Sequence, residues 1–248
     1  MDNLVIVKYF DWGTDPEETR PEEVRQLARR LGPKWRVERA MDPASDMTNL
    51  AQRANLWHFA SQVIAYGVPG DFVEFGSFDG KCGVIFQKVI DATDPARRLH
   101  LYDHFQFEFN LTGRDIQSEL QRNFASAGAS PPVIHVGDFE DTVPEELPDQ
   151  LAFVHIDCGF GGDPEAHAEV IERLLAHAYP RMSPGAVCML MDYHEAGRSE
   201  GPDHNPGVAI AARRFFQDKP EKVSLLWAGE YSHGYFRKGQ PGGVASGG

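Results

Sequence analysis

From residue 71 onward the chain alternates short apolar runs with longer helical patterns, and most of the short runs end in a glycine or an acid. DFVEFG, RRLHLYDHF, PPVIHVGDF, LAFVHIDCGF and GAVCMLMDYH read as five strands. KCGVIFQKVIDAT, DIQSELQRNFASAG, DPEAHAEVIERLLAHAYPRM and PGVAIAARRFFQDKP read as helices, the third with Asp163 at its N-cap and Pro164 at its first position. Parallel neighbours need a crossover between them, so this alternation predicts an α/β fold with a mainly parallel sheet. KVSLLWAG and HGYFRKG follow with no helix between them and predict a closing hairpin, hence one antiparallel strand near the C-terminus.

Upstream, PEEVRQLARRLG carries Val24, Leu27 and Leu31 at helical spacing, and Gly32-Pro33 stops it. A broad apolar helical face runs from Asn49 to Tyr66. Residues 1–66 are therefore expected to form an N-terminal helical lobe, 67–238 the core, and 239–248 a flexible tail. Lys and Arg number 24 against 37 Asp and Glu, a formal net charge of −13. That field repels a nucleic-acid polyanion. No apolar run approaches the roughly 20 residues of a membrane span. The N-terminus lacks a basic region with a small-residue cleavage site, so no signal peptide is read. Cys82, Cys158 and Cys188 are too isolated for a disulfide framework and read as reduced, as in a cytoplasmic protein.

Ligands of open α/β sheets sit at the carboxyl ends of the strands, so the residues just after each strand carry the chemistry. The first strand is followed by Glu74-Phe75-Gly76-Ser77-Phe78-Asp79-Gly80, where glycines let backbone approach a ligand. The second ends at Asp103-His104, with Asp103 falling 23 residues after Gly80, near the spacing of an acid that grips ribose hydroxyls. Gly137-Asp138, Asp157 and Asp192-Tyr193-His194 follow the next three. The loop lacks G-x-G-x-x-G, because position 78 is Phe, and it is no phosphate loop, because Cys82 follows Lys81. An adenosine cofactor without phosphates, S-adenosyl-L-methionine, fits better.

With these stretches in view, the chain resembles the macrocin O-methyltransferase family, class I S-adenosylmethionine-dependent enzymes that act on sugars in natural-product and antibiotic biosynthesis. The resemblance runs from about Met47 to Lys238 through MTNL, GVPGDFVEFGSFDGK, LYDHF, GDFEDTVPE, FVHIDC, YPRMSPGAV, MDYHEAG, NPGVAIAARRFF and GYFRK. It implies a Rossmann-like methyltransferase fold with a seven-stranded sheet. It places Glu74, Gly76 and Ser77 in the cofactor loop, Asp103 and His104 at the ribose, Gly137 and Asp138 at the adenine, Asp157 beside the cofactor, and Met47 and Thr48 in a segment that closes over it. The expected partner is a small-molecule acceptor, with no nucleic acid and no membrane; assembly into a homo-oligomer stays open.

Two departures from the family pattern bear on mechanism. The family's second acid after the fourth strand, its base, is Gly159 here, and one of its paired acids after the fifth strand is Met191. Asp157 and Asp192 remain, either as Mg²⁺ ligands or held by hydrogen bonds. A histidine then becomes the natural base. His194 is the first choice and His104, on the other wall, the second, with Asp157 positioning the acceptor. His155 reads equally as a core or a site residue. Phe105, Phe107 and Phe109 would share one face of a strand extension. Two rivals to O-methyl transfer stay open: cyclisation or C-methylation on the same cofactor site, and a silent cofactor-binding protein.

Overall fold

β1 (Asp71–Phe75), β2 (Leu99–Asp103), β3 (Val133–Val136), β4 (Leu151–Ile156), β5 (Met182–Leu190), β6 (Ser224–Ala228) and β7 (Tyr231–Arg237) pair into one sheet, in the order β3-β2-β1-β4-β5-β7-β6. These strands come from a computed structural model that describes residues 48–106, 115–159, 162–199, 201–229 and 231–239. The first five strands run parallel, and β7 lies antiparallel between β5 and β6. The expected closing hairpin thus supplies the one antiparallel strand of the described sheet. The chain divides into two compact units, Met1–Leu50 and Ala51–Gly248, and the sheet lies in the second.

Burial explains why these runs become strands. Every residue of β4 is buried, as a central parallel strand covered on both faces must be. Phe153 of β4 packs on Phe72 of β1 at 5.3 Å and on Phe86 at 5.0 Å between ring centroids. Each such side chain stabilises the fold by roughly 1.5–3 kcal/mol over its exposed state. At the edges the pattern relaxes: Val133 and Val136 of β3 and Trp227 of β6 are exposed.

The helices are α1 (Leu50–Ala65), α2 (Lys81–Thr93), α3 (Ile116–Ser126), α4 (Phe139–Glu146), α5 (Pro164–Ala178) and α6 (Pro206–Phe215). Asp163 caps α5 as its sequence predicts: its carboxylate accepts from the Glu165 N–H, with Pro164 next. Asp115 caps α3 in the same way through the Ser118 N–H. No helix among the described residues is long and apolar enough to cross a membrane.

The structure corrects the sequence reading in two places. α4 is a helix the sequence did not announce. It has eight residues, contains Pro144 and buries only Thr142 and Val143. Among the described residues no strand continues past Asp103, because Phe105 turns into the left-handed region at φ 56°. Phe107, Phe109, the helix expected over PEEVRQLARRLG, Met47 and the tail from 240 lie outside the described residues.

Candidate functional site

Chain order reverses between β1 and β4, and there the carboxyl ends of two adjacent strands leave a crevice. Gly76 (φ 85°) turns the chain out of β1 so close to β4 that a Cβ would stand 2.0 Å from the Asp157 carbonyl oxygen. Gly76→Ala is therefore expected to destabilise the fold by at least about 2 kcal/mol, from left-handed strain plus a backbone clash. Urea unfolding measures it; an unchanged midpoint would refute the close approach.

Backbone strain gathers at the same edge. Among the described non-glycine residues, Phe78, Phe105 and Asp192 have positive φ, and they follow β1, β2 and β5. Residues held in this region cluster at functional sites. Asp103 ties two of them down: its carboxylate accepts from the Phe78 N–H (2.8 Å) and from the Phe105 N–H (2.8 Å). The sequence spacing of Gly80 and Asp103 is thus realised as direct contact between the two loops. Each Asp103 oxygen keeps a further lone pair for a ligand.

The other residues singled out in the sequence divide by exposure. Glu74 is buried and shares a hydrogen bond with His155 across β1 and β4, Oε1 to Nδ1 at 2.9 Å. Burial pushes Glu74 well above the usual carboxylate range, helped by Asp103 and Asp79. Burial pulls His155 down to about 4 against the pull of Asp157 and Asp192. The two side chains are thus joined by a hydrogen bond in the interior of the sheet. Ser77 is buried, its hydroxyl donating to the Tyr102 carbonyl at 3.3 Å, and Thr48 is buried. Gly137 accepts its turn from β2, its N–H donating to the Asp103 carbonyl at 3.1 Å. Asp138 is exposed and lines a groove of about 520 Å³ with Phe139, Val143, Val170 and Leu174. His104 is exposed, and its Nδ1 accepts from the Gln106 N–H.

On the β4–β5 side the structure brings Asp157 and Asp192 together. Burial and the neighbouring Asp192 push Asp157 upward. Asp192 is also raised by burial, while the Asn205 amide, donating to it at 2.7 Å, opposes the shift. Asp192, His194, Pro202, His204, Tyr231 and Ser232 line a small hollow of about 10 Å³. His194 Nδ1 stands 3.7 Å from Asp203, so a carboxylate neighbours its ring. Burial and Asp157 hold the Cys158 thiol far above its usual range, so it stays protonated. Among the described residues no three His, Cys, Asp or Glu converge to hold a metal ion. Asp157 and Asp192 are two carboxylates, a number compatible with Mg²⁺ where water fills the other positions.

Two residues here escaped the sequence reading. Asn205 stands at the N-cap position of α6 without a side-chain cap bond and instead holds Asp192, and His167, in the first turns of α5, points its ring tip at Gly159. Asn205 stands before Pro206 in a loop-to-helix pattern, which signals a cap but not its partner. Nothing in the sequence pairs His167 with a glycine eight residues earlier.

No family model matches the chain. It is 30% identical over 173 residues to mycinamicin III 3''-O-methyltransferase of Micromonospora griseorubida, covering 60% of this chain and 65% of that protein. It is 28% identical over 171 residues to 8-demethyl-8-(2,3-dimethoxy-alpha-L-rhamnosyl)-tetracenomycin-C 4'-O-methyltransferase of Streptomyces olivaceus, covering 60% and 63%. The matches thus span just under two thirds of these curated relatives. Among solved structures, the O-methyltransferase NovP superposes with a TM-score of 0.62 at 22% identity over 90% of each chain. CalS11, a TDP-rhamnose 3'-O-methyltransferase of calicheamicin biosynthesis, gives 0.55 at 20% identity over 92% of this chain and 97% of that one. The fold is that of the Rossmann-like O-methyltransferases.

Proposed function

We propose that this chain is an S-adenosyl-L-methionine-dependent O-methyltransferase acting on a hydroxylated small molecule, a sugar-bearing natural product or its precursor. The observation that carries the reading is electrostatic. Glu74, Asp103, Asp157 and Asp192 converge at the carboxyl edge closely enough to push on one another's protonation. A crevice so rich in carboxylates disfavours a phosphate-bearing cofactor and suits one that carries a sulfonium and an ammonium. The curated relatives are natural-product O-methyltransferases by name, which supports the same reading.

In this account Asp103 takes the ribose hydroxyls, with His104 beside it. Glu74, Gly76 and Ser77 form the wall at the methionine portion, and Gly137 and Asp138 meet the adenine. Asp157 lies between cofactor and acceptor and, with Asp192, orients the acceptor's hydroxyl. The acceptor oxygen attacks the methyl carbon in line as the carbon–sulfur bond breaks, which needs the reacting atoms held about 3–3.5 Å apart. The hydroxyl proton passes to His194, and neutral S-adenosylhomocysteine leaves. The free cysteines suit the cytoplasm, where we place the enzyme.

Magnesium is the finer part of the proposal. Asp157 and Asp192 would hold it, and when bound it would lower the pKa of the acceptor hydroxyl. EDTA should then abolish methyl transfer and Mg²⁺ restore it, with the affinity for S-adenosylmethionine, followed by calorimetry, unchanged. Full activity in EDTA would leave the two carboxylates as hydrogen-bonding groups. A second reading, cyclisation or C-methylation, draws on Gly159, where no side chain can serve as base. Failure of the chain to bind S-adenosylmethionine at all would overturn both readings.

A further inference from the structure

The buried polar atoms with no hydrogen-bond partner among the described residues include Nε2 of His155, Nε2 of His167, which lies against Gly159 in the turn after β4, and Oδ1 of Asn205, whose amide holds Asp192 after β5. Buried polar groups are nearly always satisfied, so such atoms in a crevice call for a partner that binds there. The His167 ring is placed by two glycines. A Cβ on Gly159 would stand 1.9 Å from its Nε2, and a Cβ on Gly207 2.8 Å from its Nδ1. Any other residue at position 159 would expel the ring from the turn that follows Asp157. Asn205, two residues before Gly207, commits its amide nitrogen to Asp192 and so aims its oxygen away from it.

We infer that His167 and Asn205 form a hydroxyl-binding subsite next to Asp157 and Asp192, which takes a second hydroxyl of a polyol acceptor, beside the one that is methylated. Burial lowers the pKa of His167, so the imidazole is neutral and can accept from a hydroxyl through Nε2 or donate to it. The Asn205 oxygen accepts only, so a hydroxyl, which both donates and accepts, matches the pair. The inference rests on the methyltransferase reading given above, and it assigns these residues to binding, leaving proton removal to His194.

The test uses the full chain saturated with S-adenosylhomocysteine, titrated with methyl α-L-rhamnoside and its monodeoxy analogues by NMR. His167→Ala and Asn205→Ala should each weaken rhamnoside binding tenfold or more while the S-adenosylhomocysteine affinity stays within twofold. His167→Gln, whose amide reaches to a similar depth, should recover part of the loss. One deoxy analogue should bind the unaltered protein as weakly as His167→Ala binds the parent sugar, and His167→Ala should not distinguish the two. Gly159→Ala, which drives a methyl into the ring, should reproduce the His167→Ala loss. Rhamnoside affinity unchanged in both variants would overturn the subsite. So would an equal loss of S-adenosylhomocysteine binding, the mark of a ring that only supports the turn. An unaltered protein that binds S-adenosylhomocysteine but no rhamnoside would overturn it too. One that does not bind S-adenosylhomocysteine would instead remove the cofactor reading beneath it.

Discussion

Asp103→Ala is expected to weaken S-adenosylmethionine binding by roughly 1.5–3 kcal/mol, about 10–150-fold, if its carboxylate makes charge-assisted bonds to the ribose. The cause is twofold. The ribose loses its acceptors, and the N–H groups of Phe78 and Phe105 lose the carboxylate that fixes both left-handed turns. Asp103→Asn separates the two, since its one carbonyl oxygen can keep one of the turns but not the charge. Calorimetry that finds the alanine variant binding as tightly as the unaltered protein would place the ribose elsewhere.

His194→Ala is expected to lower kcat by roughly 10²–10⁴-fold, the usual contribution of a general base, with cofactor affinity intact. Its ring lies in the hollow with Asp192 and His204, and Asp203 stands close enough to orient it. His104→Ala is the control, because His104 is exposed and its Nδ1 is taken by the Gln106 N–H. Turnover retained in His194→Ala would remove that residue from proton transfer and return weight to chemistry that needs no base.

The strands were readable because buried parallel strands are written as near-continuous apolar runs, LAFVHI most plainly. The carboxyl-end residues followed from them, and Gly76, Asp103, Asp157 and Asp192 do lie at one edge. α4 was not readable: eight residues around Pro144 give too few apolar positions to show a helical period. The end of β2 was not readable because Phe105 fits an extended pattern by its spacing, and a local bond from its N–H to the Asp103 carboxylate two residues earlier turns the chain instead. His167 was out of reach for a different reason. Its meaning lies in the room left by Gly159 and Gly207, which are neighbours only once α5 and α6 pack side by side.

The central claim is that the carboxylate-rich edge carries methyl transfer to oxygen. Incubation with S-adenosylmethionine labelled with ¹³C in its methyl group, and a panel of deoxysugar nucleotides and glycosylated natural products, tests it most directly. The account predicts one product heavier by a single labelled methyl, with a carbon resonance in the methoxyl range, and an equal amount of S-adenosylhomocysteine. A labelled methyl bonded to carbon, or a product of altered structure without the label, would contradict it.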